Sequence, residues 1–167
     1  TQDMRAMAVR MKLNPLRENI AGKRLIVVDD SIVRGTTTRA MVQMLREAGA
    51  VEVHMRVSSP PYRWPCFYGM DTGTRGELLA ANMEVHEIRD YLGVDTLSYL
   101  GLDRLIAATG APTSGYCTAC LTGDYPVEIP VEMSGSLALP PRADAGVRTA
   151  PQLPLDVPPV VAGGGGR

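Results

Sequence analysis

Leu25, Ile26, Val27 and Val28 form an unbroken apolar run between Lys23-Arg24 and Asp29-Asp30. A short run without alternation suits a parallel strand covered on both faces, and it predicts a strand over 24–28. The period then changes. Met41, Met44, Leu45 and Ala48 fall at i, i+3, i+4 and i+7, one apolar face of a helix over about 37–48, with Gly49 as its C-terminal stop. From Val51 the period becomes two. Val53, Met55 and Val57 alternate with Glu52, His54 and Arg56, as in a half-exposed strand. Strand, helix and strand at this spacing make a βαβ unit, right-handed by the general rule.

Residues 58–73 read as a loop punctuated by Pro60, Pro61 and Pro65. Thr74 and Glu77 have the spacing of a capping box, which predicts a helix through Ala81. A second helix follows, with Val85, Ile88, Arg89 and Leu92 in register and Gly93 behind it. A short strand over 96–100 and a last helix from Leu102 to about Ala108 close the periodic part. Upstream, 4–13 reads as a short helix that scatters Arg5, Arg10 and Lys12, ended by Asn14-Pro15. From Met133 onward periodicity gives way to Pro, Gly and Ala, with too little to bury to offset the entropy of ordering. The chain thus divides into an α/β domain over 1–132 and a disordered tail over 133–167.

Composition narrows the possibilities. A length of 167 residues suits one domain. The net charge of -1 gives no electrostatic case for nucleic acid or an anionic membrane. No apolar run approaches the ~20 residues of a membrane span, and the start lacks the apolar core of a signal peptide. A soluble, cytoplasmic protein is expected. The 3 cysteines are an odd number, against a disulfide framework. Cys117 and Cys120 form a C-x-x-C pair and Cys66 lies far upstream. Free thiols, a metal site and a zinc-ribbon-like interaction module are all open on these grounds.

The chemistry concentrates in "LIVVDDSIVRGTTT", residues 25–38. Ligands of open α/β sheets sit beyond the carboxyl ends of the strands, where Asp29 and Asp30 fall. Val33 to Thr38 then make the turn into the helix, whose N-terminus favours an anion. Gly35 permits close backbone approach, and Ser31, Thr36, Thr37 and Thr38 add hydroxyls. Paired carboxylates beside a phosphate cradle call for Mg²⁺ or a sugar diol between them, hence a phosphorylated sugar. The P-loop pattern is absent.

This string resembles the phosphoribosylpyrophosphate (PRPP) signature of the type I phosphoribosyltransferases. Its "SIVRGTT" form is similar to that of the amidophosphoribosyltransferase family. "VRMKLNPLRENIAGKR", "REAGAVEVHMRVSSPP", "PCFYGMDTGTRGELLA", "GVDTLSYLGLDRL" and "CTACLTGDYP" resemble the same family in the same order. The resemblance spans about 1–130. It implies a phosphoribosyltransferase-like parallel sheet flanked by helices, here incomplete on its N-terminal side. It implies that glutamine-derived ammonia displaces pyrophosphate from C1 of PRPP to give 5-phosphoribosylamine, the first committed step of purine synthesis. Asp29 and Asp30 are then expected at the ribose hydroxyls and Mg²⁺, with Ser31, Arg34, Gly35, Thr36 and Thr37 at the 5'-phosphate. The start resembles part of a mobile loop, with Arg5, Arg10 and Lys12 toward the pyrophosphate. Cys66, Cys117 and Cys120 match three of the four ligands of a four-iron, four-sulfur cluster, with zinc as the other metal.

Purine nucleotides as feedback inhibitors and a homo-oligomer belong to the same implication. The family's glutaminase domain, its early transferase strands and the fourth cluster cysteine are not matched. The chain is therefore expected to be a fragment, inactive on its own. Gly73 and Gly76 depart from the family pattern. A non-catalytic PRPP- or nucleotide-sensing regulator is the alternative reading. His54 and His86 are expected on the surface or a strand face, and Trp64 in packing.

Overall fold

The computed structural model describes residues 14–110 and 115–139. α1 (Arg17–Ile20) leads into β1 (Arg24–Asp29). α2 (Thr36–Glu47) then carries the chain to β2 (Glu52–Val57). After a long loop come a 3₁₀ turn at Arg75–Glu77, α3 (Leu79–Asn82), α4 (Val85–Leu92) and β3 (Thr96–Tyr99). α5 (Leu102–Ala108) follows, and two single-turn helices, α6 (Ala119–Thr122) and α7 (Val131–Ser134), end the described part. The strands form one parallel sheet in the order β1-β2-β3. The register pairs Asp29 with Val57 and Val57 with Tyr99, so the carboxyl ends of all three strands stand level.

The alternation read in β2 is what the sheet uses. Val53, Met55 and Val57 are buried against Val42 of α2, Ile88 and Leu92 of α4, and Leu79 and Ala80 of α3. Fully burying an aliphatic side chain contributes about 1.5–3 kcal/mol. Asp95 fastens the edge of this core. Its Oδ2 accepts the Val53 N–H at 2.6 Å and Arg46 Nη2 at 2.6 Å, so one carboxylate ties β2 to α2. The Val53 N–H first, and then Arg46, hold the Asp95 carboxyl below the usual range.

Five expectations change. The run in β1 is covered on one face only among the described residues, where Leu25 and Val27 are half-buried against the core. Ile26 and Val28 are 69% and 71% exposed, as no described layer lies over that face. The helix expected from Thr74 through Ala81 is broken at Leu78, which is extended (φ -79°, ψ 121°). The break lets Leu78 enter the core at 0% exposure and lets the Leu79 N–H reach the Val33 carbonyl at 2.9 Å. Tertiary contacts here override the local helical signal. Val51, expected to open the alternation of β2, lies outside the strand and is exposed. α5 is not the last helix, since α6 and α7 follow it. Of the segment assigned to the tail, 133–139 belongs to α7 and a 3₁₀ turn at Gly135–Leu137 with its flanks, and 140–167 lies outside the described residues.

His54 takes the strand-face place expected of it. Its ring bonds Thr96 Oγ1 at 2.9 Å and Glu52 Oε2 at 2.8 Å in a polar ladder across the sheet. Arg24 completes the ladder on Glu52 at 2.7 Å. No described helix is long and apolar enough to cross a membrane.

Candidate functional site

Beyond Asp29 the chain turns away from the sheet and encloses a groove of about 400 Å³, lined by Asp29–Ser31 and Val33–Thr38. The turn starts where β1 is pinned. The Asp29 carbonyl accepts the Ser58 N–H at 2.9 Å and the Ser58 hydroxyl at 3.2 Å. Asp29 Oδ1 accepts the Asp30 N–H at 3.0 Å, and Asp30 Oδ1 accepts the Ser31 hydroxyl at 3.2 Å. In each carboxylate Oδ1 is tied to the residue that follows it. Ile32, buried at 1% exposure, anchors the bend in the core.

Gly35 is the N-cap of α2 and has φ 71°. No side chain caps this helix, so its first N–H groups are offered to the groove. Glycine is required here twice over. A Cβ at Gly35 would lie 2.6 Å from Leu79 Cδ2 and 3.3 Å from Tyr91 Cε1, on top of the left-handed strain.

The groove has a brace on its outer side. Arg34 Nε donates to Glu77 Oε2 at 3.0 Å, and the Leu79 N–H donates to the Val33 carbonyl at 2.9 Å. Glu77 Oε1 also accepts the N–H and hydroxyl of Thr74, each at 3.3 Å, completing the capping box. The Thr74 N–H first, and then Arg34, hold the Glu77 carboxyl below its usual range. Gly73 acquires a reason here. At φ 67° it lets the chain pass where a Cβ would sit 2.7 Å from Arg34 Nη2 and 2.8 Å from both Glu77 oxygens.

The structure therefore brings Asp29, Asp30, Ser31, Arg34, Gly35, Thr36 and Thr37 together on one groove, and adds Val33 and Thr38. Glu77 and Leu79 were not foreseen as neighbours of this loop. The capping-box spacing marks Glu77 as a helix-start acid, but nothing local says that its carboxylate reaches a residue 43 positions away. Arg5, Arg10 and Lys12 lie outside the described residues.

The cysteines are arranged differently. The Cys120 carbonyl accepts the N–H groups of Arg63 and Trp64 at 3.1 and 3.0 Å, which docks α6 onto the loop holding Cys66. Trp64 packs as expected, under the Arg75 guanidinium at 3.4 Å. Burial pushes the Tyr62 phenol up, and Cys120 and then Cys66 push it further, while its hydroxyl donates to Met70 Sδ at 3.7 Å. Tyr125 is pushed up to about 12 by burial, with Cys120 and Cys66 adding to it. Two thiols thus share one aromatic neighbourhood. Cys117 is exposed, and among the described residues no three His, Cys, Asp or Glu are gathered closely enough to hold a metal ion.

No family model matches the chain. Curated relatives do. An amidophosphoribosyltransferase of Synechococcus elongatus is 54% identical over 136 residues, covering 81% of this chain. Those of Mycobacterium tuberculosis and Bacillus subtilis are 55% and 53% identical over 79% and 77% of it.

The chain is homologous to part of the amidophosphoribosyltransferases.

It spans only 26% to 28% of these relatives' length. Solved structures agree on the fold. Glutamine PRPP amidotransferase from B. subtilis, complexed with ADP and GMP, superposes with a TM-score of 0.69 at 51% identity, over 79% of this chain and 30% of that one. A structure described as the allosteric regulatory enzyme of purine biosynthesis gives 0.69 at 49% identity, over 83% and 31%. The three-stranded parallel sheet with flanking helices is accordingly part of the phosphoribosyltransferase-like fold of this amidophosphoribosyltransferase family.

Proposed function

We propose that the groove beyond β1 binds PRPP with Mg²⁺ and that the protein carries this site for an amidophosphoribosyltransferase reaction. In that reaction ammonia derived from glutamine forms a C1–N bond on the ribose. The C1–O bond to pyrophosphate breaks, and pyrophosphate leaves with the electron pair. The observation that carries the reading is the convergence of Asp29, Asp30 and the hydroxyl-bearing bend on one groove at the N-terminus of α2.

The residues present suit a hard cation. Asp29 and Asp30 supply carboxylate oxygens, and Mg²⁺ is commonly held by one or two carboxylates together with substrate oxygens. When bound there, Mg²⁺ would neutralise charge on the departing pyrophosphate. The chain's own part is positioning. Asp29 and Asp30 orient the ribose, while the N–H groups of α2 and the hydroxyls of Ser31, Thr36 and Thr37 hold the 5'-phosphate. Arg10 and Lys12 belong to this proposal as the groups that meet pyrophosphate.

A four-iron, four-sulfur cluster on Cys66, Cys117 and Cys120, with a fourth ligand that the 3 cysteines of this chain do not supply, is part of the same proposal. The shared neighbourhood of Cys66 and Cys120 supports it, and the exposed, ungathered Cys117 does not. No step of the reaction runs through it. Iron with equimolar acid-labile sulfide in the purified protein is the expected result; zinc without sulfide removes the cluster. Purine nucleotides as feedback ligands, a homo-oligomer and a soluble, cytoplasmic setting complete the reading; the nucleotides are supported by the ADP and GMP of the B. subtilis enzyme.

The deciding experiment is calorimetric titration with PRPP, with and without Mg²⁺. Magnesium-dependent heat is expected, and no heat in either condition sinks the proposal.

A further inference from the structure

We propose that Glu77 is a positioning residue for the phosphate bend, aiming the Arg34 guanidinium from outside the groove. The inference rests on the reading of the groove as a sugar-phosphate site and deepens it.

Three observations carry it. First, Glu77 reaches the bend from a separate segment. Its Oε2 takes Arg34 Nε at 3.0 Å, while Oε1 takes the N–H and hydroxyl of Thr74. Each carboxylate oxygen has its own task, so the side chain is fixed at one end by its own turn and presents the other to Arg34. Second, the ion pair is partly solvated, with side-chain exposures of 31% and 49%. Such pairs contribute little to global stability. An arginine that lines the groove and is held by a carboxylate outside it is better explained by aim than by stability. Third, the contact has been given room. Gly73 stands where any Cβ would strike Arg34 Nη2 and both Glu77 oxygens. Two residues on, the Leu79 N–H holds the Val33 carbonyl and Leu79 Cδ2 sits against Gly35. The segment 73–79 therefore touches the bend at Val33, Arg34 and Gly35, and Glu77 supplies the charge that meets Arg34.

The test compares wild-type chain, Glu77→Gln and Asp30→Asn, titrated with ribose 5-phosphate and separately with magnesium pyrophosphate, with a melting curve for each. Gln can keep its carbonyl oxygen on the Thr74 N–H, so Glu77→Gln preserves the capping box while replacing the charged acceptor that faces Arg34 Nε with an uncharged amide. The expected result is a five- to tenfold loss of ribose 5-phosphate affinity, unchanged pyrophosphate affinity and a melting temperature lowered by no more than a few degrees, about 1 kcal/mol or less. Equal ribose 5-phosphate affinity in wild type and Glu77→Gln overturns the proposal and leaves the site reading standing. Equal losses for both ligands with a larger fall in melting temperature also overturn it, because that pattern marks general destabilisation. If wild type binds neither ligand, or Asp30→Asn binds as wild type does, the site reading itself fails and the proposal falls with it.

Discussion

The bend after β1 and the cysteine region are built on opposite plans. Asp29 to Thr38 is one stretch of chain, and its polar groups converge because a strand end and a helix start lie ten residues apart at most. The thiols come from two segments, the loop bearing Cys66 and the start of α6, and they meet only as far as those segments dock. A contiguous site is assembled as soon as its two flanking elements form. A dispersed site depends on every contact between them. In this molecule the first is complete as a groove, whereas the second brings Cys66 and Cys120 to the same tyrosines and leaves Cys117 outside.

The largest expected effect breaks the contiguous site at its hinge. Gly35→Ala places a Cβ 2.6 Å from Leu79 Cδ2 at a left-handed position. Overpacking and the backbone penalty together predict a loss of about 3 kcal/mol, read as a lower urea midpoint with an unchanged slope. A wild-type midpoint would mean that α3 yields freely and that the bend is not held from outside. Asp30→Asn comes next and should spare the fold, since Asp30 is exposed. It should weaken magnesium–PRPP binding at least tenfold, about 1.4 kcal/mol. Unchanged affinity by calorimetry would remove Asp30 from the site.

Legibility in the sequence follows the same division. The period-two pattern of β2, the apolar face of α2 and the Gly93 stop of α4 each describe a local preference, and all three elements stand within a residue of where they were read. Gly93, at φ 72°, is the left-handed C-cap that its position suggested. The groove was legible because its residues are neighbours in the chain. The Leu78 break was not, because the signal for it lies in Val33 and the core rather than in residues 74–81. The exposure of Ile26 and Val28 was hidden for a related reason. An apolar run reports that a strand can be covered on both sides, and the cover itself is a separate piece of structure. Glu77 was visible as a cap and invisible as a partner of Arg34, since periodicity carries no information about contacts between distant turns.

A smaller effect sharpens the role of the brace. Glu77 has a carboxyl held below its usual range, so its contribution to stability is present above the unfolded-state value and is lost as pH falls through the folded one. Wild type should exceed Glu77→Gln near neutrality by less than about 1 kcal/mol, as the pair is half-exposed. The gap should narrow as pH falls below the ordinary glutamate range and close below the lowered folded-state value, where Glu77 is protonated in both states. A gap that persists in acid would show that the amide disturbs the capping box rather than the charge pair. Urea midpoints of the two proteins from neutral pH down to about 3 would distinguish these outcomes.

The smallest effect tests the dispersed side. Cys117 is exposed and follows exposed Gly115 and Tyr116, so Cys117→Ser should change stability by less than about 0.5 kcal/mol. In the metal-free protein it should also remove the fastest thiol in a disulfide-exchange labelling time course, because Cys66 and Cys120 are only partly accessible. The contrast lies in what happens with iron and sulfide supplied. If Cys117 is drawn in as a ligand, reconstituted protein should protect it from labelling, and Cys117→Ser should lose bound iron despite its unchanged stability. If labelling of Cys117 is the same with and without iron and sulfide, the thiols are independent side chains. The aromatic neighbourhood of Cys66 and Cys120 is then packing, held by the Cys120 carbonyl and not by its sulfur.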